Sequence, residues 1–172
     1  MKKLNKYKLG EIASVQTGPF GSQLHNEDYV EFGTPIVTVE HLGEREFSLH
    51  NLPKVSDFDK QRLQRYSLEA GDIVFSRVGS VDRCSLVSES ENGWFFSGRC
   101  LRVKPHSINS TFLYYYFKLE NVKGYIRNKA VGATMPSLNT SLMEKIDIFA
   151  PPLPTQQKIA SILSTYDNLI QN

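Results

Sequence analysis

The sequence predicts an α+β fold: a mostly-β domain with short helices over residues 1–153, followed by a C-terminal helix of the coiled-coil type over 154–172. Three observations predict it. Short β-branched and aromatic runs, separated by Gly, Pro and Asp, recur from Ala13 to Val103 as strands joined by turns do. Ile146 and Ile148 alternate with Asp147 like a half-buried strand, and Pro151, Pro152 and Pro154 then remove backbone donors and stop it. Behind the prolines, Ile159, Ile162, Tyr166 and Leu169 step by three, four and three, with Leu163 and Ile170 beside them, which is a heptad seam.

In chain order, Leu9 to Gln16 reads as a short turn and an apolar strand, and Thr17 to Leu24, with Gly18 and Gly21 around Pro19-Phe20, as a tight surface loop. Its spacing does not fit a phosphate-cradling Gly-x-x-x-x-Gly-Lys-[Ser/Thr] loop, and no Gly-x-Gly-x-x-Gly occurs, which argues against an ATP or NAD site. Pro35–Val39 is a strand, and the acidic segment after it reads mostly as loop. Asp57 to Tyr66 forms a short helix with Asp57 near its cap. Gly71-Asp72 turns the chain into a buried strand at Ile73–Phe75, and Arg77-Val78-Gly79-Ser80 then presents an arginine beside a flexible glycine. Arg77 has two readings, a bidentate contact to guanine or a tie to a carboxylate such as Asp72 or Asp82, because its fork suits both.

Cys84–Val87, Trp94–Ser97 and Arg99–Val103 continue the strands until Pro105. Ser110-Thr111 then precedes the apolar run Phe112 to Leu119, a helix start whose aromatics suit core packing better than base stacking. A second helix, Val122 to Lys129, sets Lys123, Arg127 and Lys129 near one another. Val131 to Asn139 is a loop of small polar residues ahead of the last strand, read either as a readout loop or as a simple connector.

Composition bounds the rest. The 172 residues suit about one domain, and 40% apolar with 22% charged residues is globular. No apolar run approaches the roughly 18 residues of a membrane helix, and the basic start Met1 to Lys8 has no apolar stretch behind it, so the expected place is the cytoplasm, off any membrane. Cys84 and Cys100 read as two buried thiols, and the four histidines show no metal-ligand spacing. The net charge of +2 hides an asymmetry. Glu27 to Asp59 carries eight acids against two bases, whereas Ser97 to Ser137 carries seven bases (Arg99, Arg102, Lys104, Lys118, Lys123, Arg127 and Lys129) against Glu120 alone, a local balance of +6. Such a run is either a nucleic-acid face or a solvated surface.

Catalytic patterns are missing: there is no Gly-x-Ser-x-Gly, and no acid stands two residues before a lysine as a common nuclease core needs. Ala150-Pro151-Pro152-Leu153 superficially resembles the Asn-Pro-Pro-Phe loop of amino-methyltransferases, but Ala150 offers no acceptor for a target amine.

Several phrases together resemble the DNA-specificity (S) subunits of type I restriction-modification systems: Leu9-Gly10-Glu11-Ile12 with Thr17-Gly18, Gly71-Asp72-Ile73 with Ser76-Arg77-x-Gly79, Phe112-Leu113-Tyr114-Tyr115, Gly132-x-Thr134 with Ser137-Leu138, and Pro151-Pro152-Leu153-Pro154-Thr155-Gln156-Gln157-Lys158-Ile159-Ala160. The resemblance runs through nearly the whole chain. It implies a non-catalytic reader of one half of a split target in double-stranded DNA, residues 1–153 being a target-recognition domain and 154–172 a dimerisation or spacer helix. No cofactor is implied on this chain; S-adenosylmethionine and ATP belong to partner subunits, among them the methyltransferase. DNA contacts are expected from Gly18, Phe20, Gly21, Ser22 and Gln23, from Arg77, Ser80 and Arg83, from Thr134 and Ser137, and, for phosphates, from Arg99, Arg127 and Lys129. Ile159, Ile162, Leu163, Tyr166 and Leu169 are expected to meet a second S half, a second copy of the chain or a methyltransferase subunit. One domain and a short helix make the expected chain a half-subunit, a truncated gene product or a cut piece. The rival reading is a non-catalytic assembly or inhibitor protein that kept the fold and lost DNA reading.

Overall fold

Every residue of strand β6 (Ile73–Ser76) is buried, because the strand separates two cores. The computed structural model describes residues 4–19, 23–44 and 46–171, so the expected DNA contacts Phe20, Gly21 and Ser22 lie outside the described residues. β6 lies in an antiparallel sheet with β2 (Ala13–Thr17), β9 (Cys100–Pro105) and β7 (Cys84–Leu86), in the order β2-β9-β6-β7. Side chains alternate across it with period two. Ile73, Phe75, Leu101 and Val103 face one core with helices α3 (Ser110–Lys118) and α4 (Glu120–Lys129), where Phe75 and Phe117 meet edge to face at 4.8 Å. Val74 and Cys100 face the other core. That second core is closed by a sheet ordered β3-β5-β4-β8, from Tyr29–Val30, Lys54–Val55, Thr34–Val37 and Phe95–Phe96, in which β4 and β8 run parallel.

The sequence leaves the two-residue strands β3 and β5 unannounced, and with them two further elements. Strand β1 (Asn5–Lys8) pairs antiparallel with the last strand β10 (Asp147–Ala150), from Asn5 opposite Ala150 to Lys8 opposite Asp147. Lys8 and Lys6 reach Asp147 at 2.6 and 3.1 Å, and these two cations hold its carboxyl below the usual range. Helix α5 (Thr140–Glu144) comes just before β10, capped by the Asn139 carboxamide oxygen, which accepts from the Leu142 N–H at 2.9 Å. The expected turn at Leu9 is one helical turn, α1 (Leu9–Ile12). The expected short helix is α2 (Asp57–Arg62), and Ser56 rather than Asp57 caps it.

The last helix, α6 (Leu153–Gln171), docks on α3 by one face only. Gln156 is buried, accepts from the Asn109 N–H at 3.0 Å and donates to Pro151 O at 2.8 Å. Ala160 is buried beside it, and Tyr115 donates to Asp167 at 2.7 Å. Ile159 is half-buried against the core, whereas Ile162, Leu163, Tyr166, Leu169 and Ile170 are 37–70% exposed. At about 100° per residue the packed and open faces lie roughly a third of a turn apart, so docking and an uncovered apolar stripe coexist on one helix.

Both cysteines are free and buried, and burial pushes each thiol up to about 12. At pH 8 the thiolate is then on the order of one part in ten thousand. Iodoacetamide at pH 8 is expected to leave both unmodified in the native chain and to modify both in urea; fast native labelling would show that one of the cores opens.

Candidate nucleic-acid interface

Arg77 follows β6 and ties three separate segments together. Its N–H donates to Arg99 O at 2.8 Å and its carbonyl accepts from the Leu138 N–H at 2.9 Å. The guanidinium continues this on both sides, Nε donating to Leu138 O at 3.3 Å and Nη1 to Gly98 O at 3.2 Å. Next along, Val78 bridges Ser137 and the Gly79 N–H donates to Pro136 O at 2.9 Å. From the other side, Gly18 donates to Cys100 O at 3.3 Å and lies against the Ser97 backbone, where a Cβ would sit 2.2 Å from Ser97 O. The loops predicted around Gly18 and Arg77 therefore meet on one turn, Ser97 to Cys100, and the Thr134 loop joins them through Arg77, Val78 and Gly79. The expected carboxylate partners of Arg77 are engaged elsewhere: Asp72 lies 4.0 Å from Arg102 and Asp82 2.5 Å from Arg127.

Within these loops the side chains differ in exposure. Gly18 is buried. Gln23 is half-buried and accepts from the Tyr66 hydroxyl at 2.8 Å. Ser80 and Thr134 are exposed, Arg83 donates to Leu42 O, and Ser137 donates to Val131 O at 3.2 Å.

The basic run is largely neutralised, mostly by acids distant in sequence and in one case by Glu120 three residues away. Lys104 pairs with Glu69 at 2.6 Å, Lys118 with Glu44 at 3.0 Å, Lys123 with Glu120 at 3.2 Å and Arg127 with Asp82 at 2.5 Å, while Arg102 lies near Asp72. Hydrogen bonds from Lys118 and Lys104 hold the Glu44 and Glu69 carboxyls below their ordinary values. Arg102 is an interior group: it donates to Ser67 O and Gln16 Oε1 at 2.5 Å and stacks 5.6 Å from the Phe96 ring. Among the described residues, Arg99 and Lys129 are the members of the run without a carboxylate partner; Lys129 lies 5.2 Å over the Tyr125 ring.

Arg77 and Arg99 line an open cleft of about 710 Å³. The same cleft is lined by a second stretch, Thr38 to His41 with Asn51 and Pro53, whose first two residues end the expected strand and whose others fall in the segment that the sequence reads as acidic loop. It is a built element. Leu42 and Phe47 are buried in the second core, and the buried His41 ring accepts from the Thr38 N–H at Nδ1 (3.2 Å) and donates from Nε2 to His50 O (3.1 Å). Asn51, next to that carbonyl, has φ 52°, the left-handed region. The one signal in the sequence is Thr38-x-x-His41, a threonine cap whose third residue reaches back.

Residues 1–172 match the family described as the type I restriction modification DNA specificity domain. The chain belongs to that family. Among relatives, it is 36% identical over 173 residues to the type I restriction enzyme MjaVIII specificity subunit of Methanocaldococcus jannaschii, covering 95% of this chain and 39% of that protein. It is 40% identical over 70 residues to the MjaIX specificity subunit of the same organism, covering 41% and 16%. The crystal structure of the type I restriction-modification system S subunit from M. genitalium has the same fold, with a TM-score of 0.71 at 16% identity, over 99% of this chain and 41% of that one. The chain thus spans about two fifths or less of these relatives. The expected α+β fold with a C-terminal helix is the specificity-domain fold. Among its described residues no helix is long and apolar enough to cross a membrane.

Proposed function

We propose that this specificity domain reads one half of a split sequence in double-stranded DNA and directs a methyltransferase that is supplied by partner subunits. The match of residues 1–172 to the DNA specificity domain carries the reading, and the linking of three loops through Arg77, which bonds both the Gly98–Arg99 turn and Leu138, supports it, because loops held on rigid strands are where recognition side chains sit. The names of the relatives favour it over an assembly protein without DNA reading. S-adenosylmethionine and ATP are assigned to the partners. The open stripe Ile162, Leu163, Tyr166 and Leu169 is assigned to a second apolar helix, from another S half, a second copy or a methyltransferase subunit. The purified chain, incubated with duplex pools, should bind duplex DNA and transfer no methyl group unless a methyltransferase subunit is added. Absence of duplex binding, or methylation by the chain alone, would overturn the reading.

Ion pairing sharpens the phosphate contacts. Arg99→Ala and Lys129→Ala are each expected to weaken binding to all duplexes and to flatten the slope of log K against log salt by about 0.9. Lys118→Ala, whose charge is held by Glu44, should leave the slope unchanged. Equal slopes for all three variants and the parent would remove Arg99 and Lys129 from the phosphate contacts.

A further inference from the structure

We propose that Glu40 and Asn51, which line one cleft with Arg99, read base edges, with buried His41 as the positioning residue for both. This inference rests on the DNA-reading function above and names side chains that carry it.

Four observations lead there. First, Glu40 and Asn51 are exposed and line the same cleft as Arg99, whose guanidinium has no carboxylate partner among the described residues. Second, both are fixed from below by one buried ring: His41 closes the turn that carries Glu40 through Thr38, and holds the carbonyl of His50, the neighbour of Asn51. The Ser48 N–H donates to His41 O at 2.9 Å and Leu42 bridges Phe47, so the wall is anchored at several points. A reader needs this kind of support, since base discrimination is lost when a side chain sits an ångström out of place. Third, among the described residues Asn51 is the non-glycine with a positive φ, and such a conformation outside glycine persists where the surroundings impose it, often at a functional position. Its Nδ2 lies 3.0 Å from the exposed His50 ring, a surface contact that a base edge can replace. Fourth, the chemistry is complementary to a duplex. A carboxamide pairs with adenine N6 and N7, a carboxylate accepts from cytosine N4, and a guanidinium donates to guanine or to a phosphate. Glu40 also repels phosphates, so it favours an approach in which a groove edge, rather than the backbone, faces this wall.

The test is selection of bound duplexes from a randomised pool by the purified chain, followed by titration of the selected sequence and a random one. Asn51→Gly removes the carboxamide and keeps the left-handed conformation; Glu40→Gln keeps the shape of an exposed side chain and removes its charge. Each is expected to lose preference at one position of the selected sequence by on the order of ten- to a hundred-fold. With Asn51→Gly, affinity for random duplex and the salt slope should stay as in the parent. If either variant fails to fold, the other alone decides. Variants that select the parental sequence, or that weaken cognate and random duplex equally, overturn the proposal. A parent chain that binds duplexes yet selects no sequence overturns it together with the DNA-reading function, and that outcome is recognised because the parent itself fails.

Discussion

Gly18→Ala is expected to lower the unfolding free energy by about 3 kcal/mol, the upper end of what overpacking costs, and to lower the melting temperature by roughly 6–12 °C at this chain length. The reason is space, not backbone conformation. A Cβ at position 18 would stand 2.2 Å from Ser97 O, 2.5 Å from Ser97 C and 2.7 Å from Phe96 O, all of them backbone atoms. A flexible side chain could swing away; these atoms cannot, because the Cys100 N–H donates to Ser97 O at 2.9 Å and the Ser97 N–H to Val37 O at 2.8 Å. The strain therefore falls on the turn that also carries Gly98 and Arg99, and Gly98 O is one of the anchors of Arg77. Duplex binding should fall along with stability. Gly79, at φ 71° with nothing within 4 Å of a Cβ, provides the contrast, since alanine there meets only the left-handed penalty of roughly 1–2 kcal/mol. Chemical denaturation of both variants separates the two causes. A Gly18→Ala chain within about 0.5 kcal/mol of the parent would mean that the turn yields.

Much of this arrangement is legible in the sequence because it is periodic. Ile73 to Phe75 and Cys100 to Val103 read as strands, and α3, α4 and α6 read as helices, since their apolar residues repeat at the spacing of the element. Elements without periodic apolar residues are not legible. Asn5-Lys6-Tyr7-Lys8 becomes a strand through partners more than 130 residues away, and five-residue α5 announces itself only by Asn139. The charge asymmetry is legible as a count and misleading as a surface. Glu44, Glu69, Asp72 and Asp82 lie 30 to 74 residues from the cations they meet, and only the fold brings them together. For the candidate site, the Gly18, Arg77 and Thr134 loops are named by sequence phrases, but the Ser97–Cys100 turn that joins the first two, and the bonds from Arg77 to Leu138 that bring in the third, are not. The Thr38–Asn51 wall is missed because a buried histidine and a left-handed asparagine leave no repeating pattern.

Ile162→Glu combined with Leu169→Glu is expected to leave a folded chain that binds duplex DNA as the parent does and no longer joins a methyltransferase complex or a second S half. On folding, the argument is from exposure: Ile162 is 48% and Leu169 66% exposed, so charge at both costs the isolated domain at most about 1 kcal/mol. On association, the same two side chains contribute roughly 2 kcal/mol each when covered, so their loss weakens a helix pairing by about a thousand-fold. The face that does hold α6 to the domain supplies the control. Ala160 is buried, with Gln156 and Asp167 bonded to Asn109 and Tyr115 on the same side. Ala160→Glu would bury an unpaired carboxylate and should cost several times more stability while leaving the stripe intact. Thermal unfolding, sedimentation and pull-down with methyltransferase subunits distinguish the two variants. A double variant as unstable as Ala160→Glu would place the stripe inside its own core, and a stable double variant that still joins the complex would assign assembly to another surface.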